Sequence, residues 1–301
     1  MFWHAWGLNL CPYAQFQSTI LSYVRFRPAD GLLSQTDAIQ AMERCIEDIR
    51  HWMVSDRLLP NDEKTEFLLI GTRQQLSKVE PLPLRVEAMY IEPVNCLRNL
   101  GAWFDSMLSM ETHINKVWSS GFYYLPNLRR IRRYLSQDCL VTLIHAFVTS
   151  RLDYCNSLMY GLPQCQISKL QRVQNAAARI ALDLCKFCHI TPSLRQLHWL
   201  PVVKRIQFKI LPLTFKAIHG LSPPYISELI TVKPKSTYGL RSNISTLLLP
   251  PTQKMLPTLG ARSFAAATPA LWNKLPAHFR NVASLNSFKK SIKTFIFNES
   301  L

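Results

Sequence analysis

Between residues 34 and 53 apolar side chains return every three or four positions. Ile39, Met42, Cys45, Ile46, Ile49, Trp52 and Met53 fall on one face, with Glu43, Arg44, Glu47, Asp48 and Arg50 between them. That is the period of an amphipathic helix. The pattern then shortens: Pro60 and Asn61 mark a turn, and Glu66 to Gly71 is a brief apolar run closed by glycine, expected to be a buried strand. A linker with Pro81 and Pro83 leads to two strand-like segments, 84–91 and 96–104, separated by Glu92, Pro93, Val94 and Asn95. They are expected to pair with each other as one antiparallel hairpin at a sheet edge.

Beyond Asp105 the period is helical. Met110 to Leu135 carries Ile114, Val117, Trp118, Phe122, Leu125, Leu128 and Ile131, and Arg129, Arg130, Arg132 and Arg133 crowd its last two turns. Cations there suit the helix dipole. Ser136 is placed to cap a second helix through Leu140, Ile144, Phe147, Val148, Leu152 and Leu158, which Gly161 and Pro163 stop. The link between the two helices is so short that an antiparallel hairpin is expected. A third helix runs from about Gln166 to Leu184, with Ala176, Ala177 and Ala178 small enough for a close neighbour. Pro201 to His219 reads as a helix expected to bend at Pro212, which removes one backbone bond and crowds the preceding turn, and ended by Gly220. A short helix over 223–230, a proline-bearing extended stretch over 233–259, and short helices over 268–275 and 284–297 complete an irregular last third.

Charge changes the picture more than composition does. The 301 residues carry 35 Lys and Arg against 19 Asp and Glu, a formal charge of +16, and no run approaches the length of a membrane span. The excess is one-sided: residues 1–120 hold 11 basic and 14 acidic side chains, residues 121–301 hold 24 and 5. The second region is therefore drawn to phosphates, although charge alone does not separate DNA from RNA or either from an anionic membrane. The first residues have no charged n-region and no small-residue cleavage site, so an intracellular chain is expected, nuclear or cytoplasmic. Eight scattered cysteines are then expected to be buried reduced thiols rather than a disulfide framework.

Taken singly, the chemistry-bearing strings have plain explanations. Lys64 stands on a turn before an apolar run, where it can present an ammonium to a phosphate or simply meet water. Asn99-Leu100-Gly101-Ala-Trp103-Phe-Asp105 puts a glycine where two backbones approach, as any hairpin does. Trp118, Tyr123 and Tyr124 lie near the arginines, and aromatics at helical spacing are expected in a core. His113, His145, His189, His198 and His219 have no serine or cysteine partner that spacing assigns, so a catalytic triad is excluded. Cys185-Lys-Phe-Cys188-His189 has the spacing of half a zinc site, with His198 the one further ligand nearby, or of two ordinary cysteines. Haem attachment finds no supporting context.

In order, these strings and Ser150-Arg-Leu-Asp-Tyr-Cys-Asn156, Leu170-Gln-Arg172-Val-Gln-Asn-Ala-Ala-Ala-Arg179, Leu197-His-Trp-Leu-Pro201, Phe215-Lys-Ala-Ile-His-Gly220, Leu271-Trp-Asn-Lys-Leu-Pro276 and Phe288 form a pattern. It closely resembles the C-terminal portion of the reverse transcriptase of LINE-type, non-LTR retrotransposons of the jockey or chicken-repeat kind, over about residues 23–298. The resemblance implies an α+β fold: an atypical segment 1–22, a truncated palm over 23–105, a mainly helical thumb over 106–184 and an irregular C-terminal region over 185–301. It puts Lys64 where the family has a lysine proposed to protonate pyrophosphate, and Leu100, Gly101 and Trp103 in the primer-grip hairpin. Arg129, Arg130, Arg132, Arg133, Arg172 and Arg179 become candidate phosphate contacts of the thumb.

The family's polymerisation needs magnesium on carboxylates that include adjacent aspartates in a Tyr-Ala-Asp-Asp turn. No Asp-Asp pair occurs in the chain, and Tyr13-Ala14-Gln15-Phe16 is the nearest remnant. The expectation is a degenerate fragment, inactive as a polymerase alone, with no cofactor and no small-molecule substrate of its own, that retains non-specific binding of RNA or DNA and no membrane role. Two rivals stand beside it. One is a polymerase component whose palm comes from another chain. The other is an interaction protein without a nucleic-acid role.

Overall fold

The computed structural model describes residues 35–58, 61, 64–234, 246–251 and 260–300. The segment 1–22, the Tyr13-Ala14 remnant and most of the 233–259 stretch lie outside them. The architecture is α+β and mostly helical, divided into two compact units at His113 and Ile114.

The first unit holds α1 (Gln35–Ser55), β1 (Phe67–Leu68), α2 (Arg73–Leu76), β2 (Leu84–Val86), β3 (Met89–Ile91), β4 (Pro93–Val94), β5 (Cys96–Asn99) and β6 (Ala102–Asp105). Leu84 and Val86 are buried and Arg85 points out, the alternation of a half-covered strand. Arg85 N donates to Glu43 Oε1 at 2.8 Å, and Arg50 pairs with Glu87 at 2.6 Å, so polar residues of α1 clasp β2 and the turn after it. The expected single hairpin is instead two. Segment 84–91 turns back on itself at Glu87 (φ 52°), giving β2–β3, and segment 96–105 turns at Leu100 (φ 45°) and Gly101 (φ 85°), giving β5–β6. Two consecutive positive-φ residues are what a tight turn matched to strand twist requires, and that local geometry overrides pairing between the segments. The expected buried strand at 66–71 is two half-buried residues, Phe67 and Leu68, parallel to Pro93 and Val94. Pro93 cannot donate, so the ladder stays short.

The second unit is built from α3 (Glu111–Ile131), α4 (Gln137–Ile144), α5 (Ser150–Asp153), α6 (Gln164–Leu182), α7 (Thr191–Gln196), α8 (Val202–Ile218), α9 (Pro224–Ser227), β7 (Thr231–Val232), β8 (Leu248–Leu249), α10 (Phe264–Trp272), α11 (Ala277–Arg280) and α12 (Leu285–Ser300). Ser136 Oγ accepts from Cys139 N at 3.3 Å, the N-cap read from the sequence. The helix it starts widens into a π-turn at His145–Thr149 and ends at Tyr154, before Cys155 adopts φ 51°. Tyr124 of α3 stacks on Phe147 at 5.3 Å, as a helical hairpin folded at 132–136 demands.

Residues 185–301 are more regular than expected. α8 packs against α6, α10 and α12, and their shared core contains Phe215, Trp272 and Phe288, none with measurable exposure. Phe215 stacks on Phe288 at 4.8 Å. Burying each such aromatic contributes about 1.5–3 kcal/mol. The helix read over 201–219 is present as α8: Pro201 precedes its first turn, where a missing N–H costs nothing, and the helix runs on through Pro212. Gly220 (φ 66°) ends α8, with Leu221 N donating to Lys216 O at 2.8 Å, as a glycine-based helix stop does. Trp272 Nε1 donates to Thr246 O at 2.9 Å, and Asn273 brackets Leu248 with bonds of 3.0 and 2.8 Å, which ties β8 to the end of α10.

Candidate nucleic-acid interface

α3 and α6 meet where one of them has no side chain. An added Cβ on Gly121 would stand 2.4 Å from Val173 Cγ1, so the glycine is required by the approach itself. Beside that contact a cleft of about 820 Å³ opens, floored by Phe122, Leu125, Pro126, Ala176 and Ile180 and edged by Arg129, Arg130, Arg133, Arg179 and Lys186. Four of the six arginines read from the sequence thus converge, two helices contributing to one site. At about 100° per residue, positions 129, 130 and 133 share one side of a helix and 132 falls on its flank. Arg132 accordingly turns away and pairs with Asp183, which caps α6 at φ 56°. That hydrogen bond raises the Arg132 pKa and lowers that of Asp183. Arg172 is exposed two turns along α6 from Arg179, outside the cleft lining.

The cleft has no acid in its lining. Residues 114–301 contain five acidic side chains, and three are already engaged: Asp153 with Arg205 at 2.7 Å, Glu299 with Lys204 at 3.2 Å, and Asp183 with Arg132. The field over the cleft is therefore positive, and its low-dielectric floor focuses it. Arg129, Arg130, Arg133 and Lys186 are exposed to solvent. Arg179 is half-buried, donating from Nη2 to Cys188 O at 3.2 Å while its buried Nε meets no partner. Trp118 (38% exposed) and Tyr123 (69%) do not lie in the core expected for them. They sit on the solvent side of α3 because its buried face is taken by Ile114, Val117, Leu125 and Leu128.

Cys185 and Cys188 are joined as a disulfide, which overturns the expectation of reduced thiols at this pair. Their three-residue spacing across a tight turn, closed by Cys188 N to Cys185 O at 3.3 Å, brings the sulfurs together. None of the other described cysteines is buried either: Cys139 and Cys165 are exposed, and Cys45, Cys96 and Cys155 are partly so. The zinc candidates do not assemble. His189 is exposed, His198 packs beside the Phe297 ring at 5.7 Å, and no group of three or more metal-ligating side chains occurs among the described residues.

The strings that carried the family resemblance mostly build the scaffold. Gln174 Nε2 donates to Leu200 O at 2.8 Å, and Gln171 Oε1 accepts from Val202 N at 2.9 Å, so α6 side chains cap the start of α8. Arg205 reaches both Leu200 O (2.8 Å) and Asp153 (2.7 Å). Arg151 donates to Tyr124 Oη at 3.1 Å and lies 4.9 Å above that ring. His145 packs edge-on against Trp199 at 5.2 Å; burial, then the nearby Arg205 charge, lowers its pKa.

In the first unit, Lys64 lies exposed on the turn before β1. Leu100 (68% exposed) and Gly101 form the tip of β5–β6, and Trp103 is half-buried on β6. Asp105 closes that hairpin by accepting from Met107 N, Ser109 N and Met110 N at 2.8 to 3.1 Å, holding the two positive-φ residues Leu108 and Met110 ahead of α3. Sequence reasoning missed Lys186, which sits on a loop with no period, and the apolar floor, because Phe122 and Leu125 read simply as the apolar face of a helix and the second helix's contribution comes from distant residues. The chain matches no protein-family model, no curated protein and no solved structure. No described helix is long and apolar enough to cross a membrane.

Proposed function

We propose that the chain is a degenerate thumb-containing fragment of a LINE-type reverse transcriptase that binds nucleic acid without sequence preference through the α3–α6 cleft and does not polymerise by itself. The observation that carries this reading is the convergence of five cations on one acid-free cleft. The ordered sequence strings support the family origin. The missing Asp-Asp pair supports the loss of polymerisation, because two-metal phosphoryl transfer needs clustered carboxylates. No step is assigned to magnesium.

Titration of labelled duplex by fluorescence anisotropy at several salt concentrations tests the reading. If all five cations contact phosphate, log affinity falls against log salt with a slope of about −4 to −5. Combining Arg129→Glu, Arg130→Glu and Arg133→Glu should abolish or greatly weaken binding. Salt-insensitive affinity, or retention on heparin with none on oligonucleotides, would sink the reading in favour of an acidic protein partner.

A further inference from the structure

The cleft's edge and floor are chemically different, and a blunt duplex can use only one of them. Its phosphates can meet Arg129, Arg130, Arg133 and Lys186, but its bases are stacked inside and cannot reach an apolar floor of Phe122, Leu125 and Ile180. An unpaired nucleotide offers both an anion and an exposed ring face. Beside the cleft stands the second feature. Phe187 is 90% exposed, more than any other large apolar side chain described. Lys186 lines the cleft, and its Nζ lies 5.9 Å from the Phe187 ring centroid, so the ring borders the cationic edge.

The loop that carries this ring is held in place. Cys185 and Cys188 close the two-residue loop that bears Lys186 and Phe187, and Arg179 anchors it to α6 through Cys188 O at 3.2 Å. A loop pinned at both ends has little backbone ordering left to lose on binding, and only the side chain's rotamers remain to be fixed. Building on the nucleic-acid reading above, we infer that the cleft takes an unpaired stretch of nucleic acid in preference to blunt duplex. Phosphates engage the arginine edge, one base enters against the apolar floor, and a neighbouring base stacks on Phe187.

The test compares the full chain on two probes of equal length at one salt concentration: a single strand of about 12 nucleotides and the blunt duplex of the same sequence. The single strand is expected to bind more tightly. Phe187→Ala should weaken single-strand binding about 5- to 100-fold and leave duplex binding within about twofold, and Phe187→Trp should restore it. Equal affinity for both probes, or an unaffected Phe187→Ala protein, overturns the inference and leaves the nucleic-acid reading standing. Absence of binding to either probe overturns both.

Discussion

Gly121 and Val173 are in contact so close that no side chain fits between them: a Cβ on Gly121 would lie 2.4 Å from the valine Cγ1. The arginines of α3 and α6 face one cleft because their helices meet at this point. Gly121→Ala must push the helices apart or distort Val173. It should cost about 1–3 kcal/mol and lower the melting temperature by several degrees. Val173→Ala in the same chain should recover part of the loss, read as non-additivity in a double-mutant cycle. Simple additivity would mean the contact is not the cause.

Gln174 is 2% exposed and spends its amide on Leu200 O. Gln174→Ala removes one of two donors to Leu200 O, Arg205 Nε remaining, and one of two acceptors of the Gln171 amide, Asn175 Oδ1 remaining, and should destabilise the second unit by about 0.5–1.5 kcal/mol in urea unfolding. Arg172→Ala, on the same helix but exposed, should change stability by less than about 0.5 kcal/mol.

His113 is 2% exposed, and its Nδ1 accepts a 3.5 Å bond from Trp103 N. Burial lowers its pKa below the ordinary 6.5. Below that value the unfolded chain binds a proton that the folded chain resists, so stability is present above it and is lost as the pH falls. The amide protection factors of β5–β6, observed rates corrected for the intrinsic pH dependence of exchange, should therefore fall between neutral pH and about pH 5, and His113→Gln should flatten that dependence. A pH-independent hairpin in the native chain would contradict the assignment.

Alkylation of the denatured, unreduced protein followed by peptide mass spectrometry should leave Cys185 and Cys188 unlabelled and mark Cys45, Cys96, Cys139, Cys155 and Cys165. Prior treatment with a dithiol should expose the pair. Labelling of Cys185 and Cys188 without reduction would refute the disulfide.

The long helices were legible because their evidence is local. The returns of Ile114, Val117, Leu125 and Leu128 define α3, and all four are buried. Ser136 stops one helix and starts the next through bonds within a few residues. Hairpins were harder to read. Segments 84–91 and 96–105 are strand-like throughout, and only the positive φ at Glu87, Leu100 and Gly101 makes each fold on itself. The last third looked irregular because prolines mask periodicity, whereas Phe215, Trp272 and Phe288 come together from three separate helices.

By itself, then, the chain's order of residues determined the helix periods, the caps, the concentration of positive charge after residue 120 and the absence of paired aspartates. These are properties of neighbours and of counts. Tertiary structure alone decided which arginines line one cleft. Arg132 leaves its run to pair with Asp183, Arg179 joins from another helix, and Lys186 is brought in on a loop tied by Cys185 and Cys188. Spacing along one helix specifies a face, but a cleft needs two helices, and their separation is set by a missing side chain at Gly121 meeting Val173.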